Sequence, residues 1–404
     1  DFCLHARDAH ARARARALVA CMEAEIARLV DELAYARAAV ESEPDAGKRE
    51  YREEIVRRVE AALDKCRKIS ETVTTKVAAT TTMAVRRVHA STLSLAAFRR
   101  EYVATDIPVV ITGLEDELTE DGADGEKCAW LLERGGTKKV AVTRNDAHVK
   151  SELSCASADV VDLSEHFHAV MRDESPGSYL YDCSIPLKLP SLGECVRIPR
   201  YFAHDYAQQT MRLHAFSRSW PSLFVAAKDT RSSLHVDQWQ GHFFMAQVRG
   251  TKRWTVFHRD DTAYLQPSWR RGTLDPALPA LSTFDDTRMA FAKYARRWDV
   301  DLGPGEVLFV PGGAPHAVHN IDATVAFAGN FIDETNIDRA LFDLRLMGLN
   351  QGAAMMATFG ALDEVEFDPT LGAFEDTTTN MRNLVVRCDE YIGGAAASLP
   401  FTRG

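Results

Sequence analysis

The sequence predicts an α+β protein: a jelly-roll barrel, wound as a double-stranded β-helix, with a helical hairpin before it and helices after it. The middle of the 404-residue chain consists of short apolar runs separated by turns that contain Gly or Pro, a pattern typical of jelly rolls. At both ends apolar residues recur every three or four positions, as on one face of a helix. We therefore expect three units: a helical hairpin or coiled-coil arm at residues 1–75, the barrel at 85–335 and a helical region at 336–404.

The N-terminal region contains two helical patterns on either side of the break Glu43–Gly47. Their apolar positions are Leu18, Met22, Ile26, Leu29, Leu33 and Ala36, and then Tyr51, Ile55, Val59, Leu63 and Cys66. Two helices joined by a Pro/Gly break predict an antiparallel hairpin. A coiled-coil arm that dimerises the protein is the alternative. Because the apolar stripe has few partners if the hairpin stands alone, we expect removal of residues 1–70 to change either the oligomeric state or the affinity for a protein partner, and to preserve ligand binding by the barrel.

Strand patterns fill the central region. Residues 243–248 and 252–257 are two apolar runs across the short turn at Gly250, which predicts a hairpin of paired strands. Further strands are expected at 223–227, 306–310, 316–320 and 324–331. After residue 331 the pattern is helical again, most clearly at 337–347 and 379–388, with an acidic loop at 362–376.

The triplet His235-Val236-Asp237 is the clearest functional signal. On a strand, residues two apart project from the same face, so the imidazole and the carboxylate lie together. His316, which ends the turn Pro311-Gly312-Gly313-Ala314-Pro315, supplies a second imidazole. Two histidines and one carboxylate form a facial triad that leaves open positions on Fe(II). This ligand set predicts a non-haem iron oxygenase.

Other histidines compete for these roles. His319 lies three residues after His316, so on a strand it faces the other way. A second His-x-Asp, at 258–260, lacks any partner motif, and we interpret His258 as a strand-end or loop histidine. His166 and His168 fall in an amphipathic helix that begins near Ser164, where we expect surface histidines.

Composition narrows the class of protein. A formal charge of −10 without a basic run argues against a nucleic-acid partner and favours a basic peptide. No apolar run reaches transmembrane length. The eight cysteines are scattered without a Cys-x-x-Cys, so they predict neither zinc nor disulfides, and we expect an intracellular setting, nuclear or cytoplasmic.

Several segments together resemble one family. They are Leu-His-Val-Asp at 234–237, Gly-Thr-Lys-Arg-Trp-Thr-Val-Phe at 250–257, the stretch from Gly305 to Asn320, Asn-Phe at 330–331, and upstream the segments 107–114, 178–182 and 198–202. Over about residues 90 to 335 the chain is similar to the Jumonji C (JmjC) oxygenases, most of all to the small protein hydroxylases that include a nuclear lysyl hydroxylase.

The resemblance implies a set of cofactors and residue roles. Fe(II), 2-oxoglutarate and O2 are the implied cofactors, with succinate and CO2 as co-products. The implied iron ligands are His235, Asp237 and His316. The residues that match contacts of 2-oxoglutarate are Lys252, which pairs with its C5 carboxylate, Ser232 and Tyr179, which help to hold that carboxylate, and Asn330, near the metal and the co-substrate.

The chain departs from the family pattern at several positions. Ala314 and Pro315 replace a bulky pair before the distal histidine, which predicts a wider mouth. Met245 and Ala328 stand where the lysyl hydroxylase has polar co-substrate contacts. His242 follows Asp237 closely together with Trp239; these two side chains could line the substrate entrance, and the alternative for His242 is a barrel-surface position.

Function therefore has one leading interpretation and three alternatives. The leading one is hydroxylation of a protein side chain, of the lysyl type. The alternatives are an N-methyl-lysine or N-methyl-arginine demethylase, a non-catalytic cupin-like binding module, and a hydroxylase that modifies tRNA. The expected partner is a protein or peptide substrate, with no membrane partner. C-terminal helices often support dimers in JmjC hydroxylases, so the resemblance also implies a homodimer.

Overall fold

The computed structural model describes residues 2–73, 82–122, 127–144, 159–206, 220–281, 289–347 and 378–380. Its helices are α1 Phe2–Glu41, α2 Ala46–Val73, α3 Leu95–Phe98, α4 Ala129–Gly135, α5 Leu163–Met171, α6 Ile185–Lys188 and α7 Ile337–Leu346. Its strands are β1 Met83–Ala84, β2 Arg86–His89, β3 Val109–Thr112, β4 Lys139–Arg144, β5 Asp159–Asp162, β6 Ser178–Ser184, β7 Arg197–Pro199, β8 Ser222–Ala226, β9 Arg231–His235, β10 His242–Arg249, β11 Lys252–Phe257, β12 Arg297–Leu302, β13 Val307–Val310, β14 His316–Asn320, β15 Thr324–Phe331 and β16 Thr378–Asn380.

Two sheets carry the fold. One has the order β1-β12-β11-β14-β9, and the other has the order β2-β3-β13-β10-β15-β8-β6-β4-β5. Most neighbouring strands are antiparallel; the pairs β1–β12 and β2–β3 are parallel. Together with the flanking helices, the two sheets confirm the predicted α+β jelly-roll class.

The predicted hairpin of residues 243–248 and 252–257 is wrong in its pairing. β10 lies in the nine-stranded sheet between β13 and β15, whereas β11 lies in the five-stranded sheet between β12 and β14. Gly250, at φ +70°, makes the turn between them, but the chain crosses from one sheet to the other instead of folding back beside itself. A turn pattern indicates a change of direction and does not specify which strand becomes the neighbour.

The side chains of each strand alternate between two cores, as the pleat requires. On β15, Ala326 and Ala328 face the interior between the sheets, while Val325 and Phe327 pack outward against the helices around α4 and α5. The interior also contains Trp254 and other apolar residues of both sheets. This alternation places inward-facing residues of both sheets in one shared interior cluster.

The N-terminal helices form the expected hairpin, and the hairpin packs on the jelly roll. Met22 and Leu29 of α1 and Val59 of α2 belong to an apolar cluster that also contains Leu234 and Phe257, from the outer face of the five-stranded sheet. The hairpin is therefore not a free arm: its apolar stripe covers the sheet.

Of the two C-terminal helices predicted, the first is confirmed and the second is wrong where it can be compared. Helix α7 matches the helical pattern at 337–347. Thr379 and Asn380 were expected in a helix, but they form β16, which pairs with β7. The rest of that predicted helix and the acidic segment 362–376 lie outside the described residues. In the described ranges, no helix combines the length and the apolar character needed to cross a membrane.

Candidate active site

Three potential metal ligands meet where β9 and β14 pair. His235 ends β9, Asp237 follows two residues later, and His316 begins β14 directly opposite His235. His235 Nε2 lies 3.6 Å and His316 Nε2 lies 3.9 Å from Asp237 Oδ1. One ligand atom of each residue lies within 4.8 Å of the others. Two nitrogens and one oxygen so arranged can hold one divalent transition metal.

Backbone contacts orient both imidazoles. His235 Nδ1 lies 2.6 Å from the Ser233 carbonyl oxygen, and His316 Nδ1 lies 3.0 Å from the Ala314 carbonyl oxygen. Because a carbonyl oxygen only accepts hydrogen bonds, each Nδ1 carries the hydrogen and each Nε2 keeps its lone pair. Burial, followed by the neighbouring His235, lowers the pKa of His316 to about 4, so its ring is neutral. The rings are thus set as metal ligands commonly are.

Asn330 fixes the carboxylate of the same group. Its Nδ2 donates to Asp237 Oδ2 at 2.8 Å, which leaves Oδ1 on the side of the two histidines. Asn330 lies near the end of β15, a strand of the opposite sheet. The contact therefore joins the two sheets at the candidate metal centre.

A β-bulge explains how Ser232 and His235 both face the interior. On a regular strand, residues three apart project from opposite faces. The β9–β14 register shifts here, so that His235 lies opposite His316 while Ser232 lies opposite Val318. Three residues of β9 thus span two of β14, a bulge that re-aims the side chains.

Lys252 is buried in the same interior. Its side chain is fully buried, its Nζ donates to Asn320 Oδ1 at 2.5 Å, and its Nζ lies 5.5 Å from the centre of the Tyr179 ring. Within the described ranges no carboxylate forms an ion pair with it. Burial lowers the pKa of Lys252 to about 7. A buried ammonium is stabilised by an anionic partner, and the distal carboxylate of a dicarboxylic acid fits that need.

Tyrosine hydroxyls lie near the lysine, and a buried indole lies near His316. Tyr179 interacts with Ser232 and Asn320, and Tyr181 also interacts with Ser232. Burial raises the pKa of Tyr179 to about 12, so its hydroxyl keeps its proton and can donate a hydrogen bond to an anion. Trp254 Nε1 is buried and has no hydrogen-bond partner among the described residues, and its ring centre is 5.7 Å from that of His316. An unsatisfied buried donor at this position suits a polar co-substrate.

The sequence reasoning missed Asn320, Tyr181 and Trp254 as site residues. A period-two signal was available for Asn320, because residues 316, 318 and 320 share one face of β14. Lys252 lies directly opposite Asn320 in the β11–β14 register, which explains their contact. For Tyr181 and Trp254 the signal was weaker, since aromatic residues in strands usually serve as core.

The remaining predicted positions fall in the interior or at its rim. Met245 and Ala328 lie opposite each other in the β10–β15 register and are both buried, so they give this wall an apolar surface. Trp239 is buried, at φ +58°, with its ring 6.0 Å from that of Trp220.

Two histidine predictions need correction. The surface alternative for His242 is wrong: it is fully buried, its Nδ1 accepts from Gly312 N at 2.8 Å, and its Nε2 lies 2.9 Å from Thr335 Oγ1. His166 is also buried, 3.1 Å from the Val225 carbonyl oxygen, whereas His168 is exposed as expected. Residues two apart on a helix point in widely different directions, so only one of the pair faces the sheet.

Two further histidines that competed for the metal role, His319 and His258, lie outside the candidate metal centre. His319 Nε2 contacts Asp229 Oδ1 at 3.1 Å on the opposite face of β14. His258 follows the end of β11, where its Nδ1 accepts a hydrogen bond from Asp260 N and caps a short 3-10 helix. Both positions agree with the roles expected from the sequence.

Comparison with known proteins identifies the class. The cupin-like domain family matches residues 95–336, which is more than half of the chain, so the chain belongs to this family. Its relatives bear the names of JmjC hydroxylases and demethylases, which confirms the resemblance to the JmjC oxygenases.

Three relatives illustrate this membership. The "Bifunctional arginine demethylase and lysyl-hydroxylase psr-1" of Caenorhabditis briggsae is 26% identical over 275 residues, 63% of this chain and 63% of the relative. The "Arginine-specific demethylase JMJ20" of Arabidopsis thaliana is 21% identical over 278 residues, 63% of this chain and 58% of the relative. The "2-oxoglutarate and iron-dependent oxygenase JMJD4" of Gallus gallus is 21% identical over 162 residues, 39% of this chain and 37% of the relative. The chain spans about three fifths of the length of the first two.

Proposed function

We propose that the protein is an Fe(II)- and 2-oxoglutarate-dependent dioxygenase that hydroxylates a protein side chain. Lysine is the proposed side chain. The observation that carries the proposal is the joint presence, in one jelly-roll interior, of the His235–Asp237–His316 group and of the buried Lys252, which has no counter-ion among the described residues. One group suits the metal and the other suits a dicarboxylate. The names of the psr-1 and JMJD4 relatives describe the same chemistry.

In this proposal His235, Asp237 and His316 hold the iron, and Asn330 keeps the Asp237 carboxylate turned toward it. Bound iron and 2-oxoglutarate would supply the activation of O2, with succinate and CO2 as co-products. The two Nδ1–H···O=C hydrogen bonds hold the imidazoles in the ligating tautomer. These contacts prepare the three ligands before any metal binds.

Lys252, Ser232 and Tyr179 would bind the far carboxylate of the co-substrate, with Asn320 as a further contact. The apolar wall of Met245 and Ala328 excludes water and offers no hydrogen bond, so the lysine and the hydroxyls carry the recognition. An enclosed, dry interior also strengthens the charge pair between Lys252 and a carboxylate.

Demethylation of N-methyl-arginine or N-methyl-lysine is the second candidate. It is favoured by the names of the psr-1 and JMJ20 relatives, both of which include arginine demethylation. The same interior serves both reactions, since a hydroxylated N-methyl carbon leaves as formaldehyde. Formaldehyde release therefore separates the two candidates.

The proposed partner is a protein or peptide whose modified side chain is basic, in keeping with the net charge of −10 and with the relatives' names. A homodimer and a nuclear or cytoplasmic setting belong to the same proposal. Sedimentation of the full chain tests the first, and imaging of the tagged protein in cells tests the second.

Incubation of the full chain with Fe(II), 2-oxoglutarate and peptide libraries, followed by mass spectrometry, tests the activity. We expect succinate and a gain of one oxygen on a peptide; loss of a methyl group with formaldehyde would select the demethylase instead. His316→Ala should be inactive, whereas His319→Ala, the matched control on the other face of β14, should turn over. Absence of succinate from the iron-loaded protein with every peptide would favour the non-catalytic binding module.

A further inference from the structure

A cleft of about 660 Å³ opens beside the candidate metal centre. Val236, which stands between His235 and Asp237, lines it, and so does Gly313 of the turn that leads to His316. The other walls come from α2, from α7 and from the segment around residues 259–276. Its volume falls in the range of ligand-binding clefts, and its position suits the part of a substrate that flanks the reacting side chain.

Arg58, which lines the cleft, is paired with two carboxylates. Arg58 Nη2 contacts Asp343 Oδ1 at 2.5 Å, and Arg58 Nη1 lies 3.9 Å from Asp275 Oδ1. Gln240 Nε2 also donates to Asp275 Oδ1, at 3.3 Å. Arg58 of α2 thus neutralises two carboxylates, Asp343 of α7 and Asp275 of the segment before it in the chain.

Two other arginines that line the cleft have few charge partners. Arg339, in the first turn of α7, is half-buried, and within the described part of the chain its Nε has no hydrogen-bond partner and its guanidinium forms no ion pair. Arg259 Nε lies 4.0 Å from Oδ1 of its chain neighbour Asp260, and Asp260 also lies 3.7 Å from Arg296. Burial, and then the charge of Arg259, lower the pKa of Arg339.

Two like charges at one wall destabilise a fold unless something compensates them. Asp106, Asp333 and Asp260 act on Arg339 only at a distance, and the exposed Asp338 lines the same cleft without an ion pair to it among the described residues. Four basic and four acidic side chains line the cleft, so its distinctive feature is not a net charge but the guanidinium of Arg339, which has no ion pair among the described residues. It lies where a flanking part of a substrate would pass.

We propose that Arg259 and Arg339 bind an anionic group, a carboxylate or a phosphate, on the polypeptide substrate next to the residue that reacts. This inference rests on the proposed function, because it assigns the cleft to the same substrate. Arginine suits the role, since its planar guanidinium donates two parallel hydrogen bonds to a carboxylate or a phosphate. The substrate motif is then a modified side chain with an acidic or phosphorylated residue close to it.

The test measures binding of inorganic phosphate to the full chain by NMR titration and by thermal shift. Arg259→Gln and Arg339→Gln are the test variants. Arg253→Gln is the matched control, because Arg253 is an exposed arginine already paired with Asp301 at 2.7 Å and does not line the cleft. Lys252→Met is the second control, which shows whether phosphate enters the interior pocket instead.

We expect phosphate to bind the wild type, Arg253→Gln and Lys252→Met alike, and to bind each test variant roughly tenfold or more weakly. Without phosphate, Arg339→Gln should melt no lower than the wild type, because the substitution removes a repulsion. Absence of phosphate binding by the wild type, equal binding by the test variants, or loss in Lys252→Met overturns the proposal. If Arg339→Gln fails to fold, Arg259→Gln alone decides in the same way.

Three peptides that differ at one position, with phosphoserine, glutamate or alanine, separate the two sources of the anion. Stronger binding of the phosphoserine or the glutamate peptide, lost in the test variants, supports the proposal and names the group; equal binding of all three overturns it. Visible absorption of the same samples reports the binding of iron and 2-oxoglutarate. This binding should be unchanged in Arg259→Gln and Arg339→Gln. Failure of iron binding in the wild type would count against the proposed function and not against the anion site.

Discussion

Lys252 shows most clearly how one residue links the fold to the proposed chemistry. It lies on β11 directly opposite Asn320, fully buried, with a neutral amide as its nearest hydrogen-bond partner. A buried charge without a counter-ion costs stability. The fold accepts that cost at a position where a dicarboxylate would remove it.

Replacing this residue tests its role. Lys252→Met should weaken 2-oxoglutarate binding by about 3–5 kcal/mol, since the substitution removes one partner of a buried charge pair. Calorimetric titration of the iron-loaded protein measures it. Arg253→Met, its exposed neighbour on the same strand, should bind 2-oxoglutarate as the wild type does. An unchanged titration in Lys252→Met would remove the lysine from the pocket.

The pKa of Lys252 adds a pH dependence. Burial lowers it from 10.5 to about 7, so between these values the unfolded chain holds a proton that the folded chain has released. The free energy of unfolding should therefore rise with pH across this window, relative to Lys252→Met. An anionic co-substrate favours the charged lysine, so 2-oxoglutarate affinity should fall, with proton uptake, as pH rises above 7. Titrations in buffers of different ionisation enthalpy measure that uptake; its absence would contradict the assignment.

Asn330 provides a test that separates the metal from the co-substrate. Asn330→Ala removes the hydrogen bond to Asp237 Oδ2 and should weaken iron binding about 10- to 100-fold. Asn320→Ala, the matched control, removes a contact of Lys252 and should weaken 2-oxoglutarate binding while iron binding stays near the wild-type value. Iron binding that depends on Asn320 and not on Asn330 would reverse these roles.

At the scale of elements, the strand patterns predicted positions well and pairing poorly. β13, β14 and β15 occur where the apolar runs lie, because turn residues and apolar alternation are local properties. The transfer of β11 to the other sheet and the bulge in β9 depend on partners far along the chain. Ser232 could be placed near the site only through the family resemblance, since regular alternation points it outward.

Helix α2 carries the next prediction. Val59 is fully buried against the sheet, whereas Val30 of α1 is 42% exposed. Val59→Ala should lower the free energy of unfolding by about 2 kcal/mol, from two buried methyl groups and the space they leave. Val30→Ala should change it little. Calorimetry should show one transition for hairpin and jelly roll together; an earlier, separate transition of the hairpin would restore the free-arm interpretation.

The same packing changes the expectation for removal of residues 1–70. The hairpin covers Leu234 and Phe257 on the outer face of the five-stranded sheet, so its loss would expose apolar surface next to β9 and the candidate metal centre. A helical hairpin has the same sequence pattern whether it projects into solvent or covers a sheet. Only the partner surface distinguishes the two, and that surface lies some 200 residues away in the chain.

For the molecule as a whole, both the class of protein and the group of candidate metal ligands could be predicted from the sequence. The spacing of His235 and Asp237 on one strand face is a local property, whereas His316 was assigned to the group through its turn motif and the family resemblance. The Arg259–Arg339 wall, the buried His242 and the contacts of Asn320 arise from segments that meet only in the folded chain. Periodicity along one strand carries no information about such meetings.

The most direct test of the central claim is iron binding measured without O2. Fe(II) and then 2-oxoglutarate are titrated into wild type, Asp237→Ala, His316→Ala and His319→Ala, and the visible absorption of the iron–2-oxoglutarate complex is recorded. We expect this absorption, with one iron per chain, in the wild type and in His319→Ala, and its loss in the other two, because each lacks one of three ligands. Full iron binding by His316→Ala together with loss in His319→Ala would contradict the assignment.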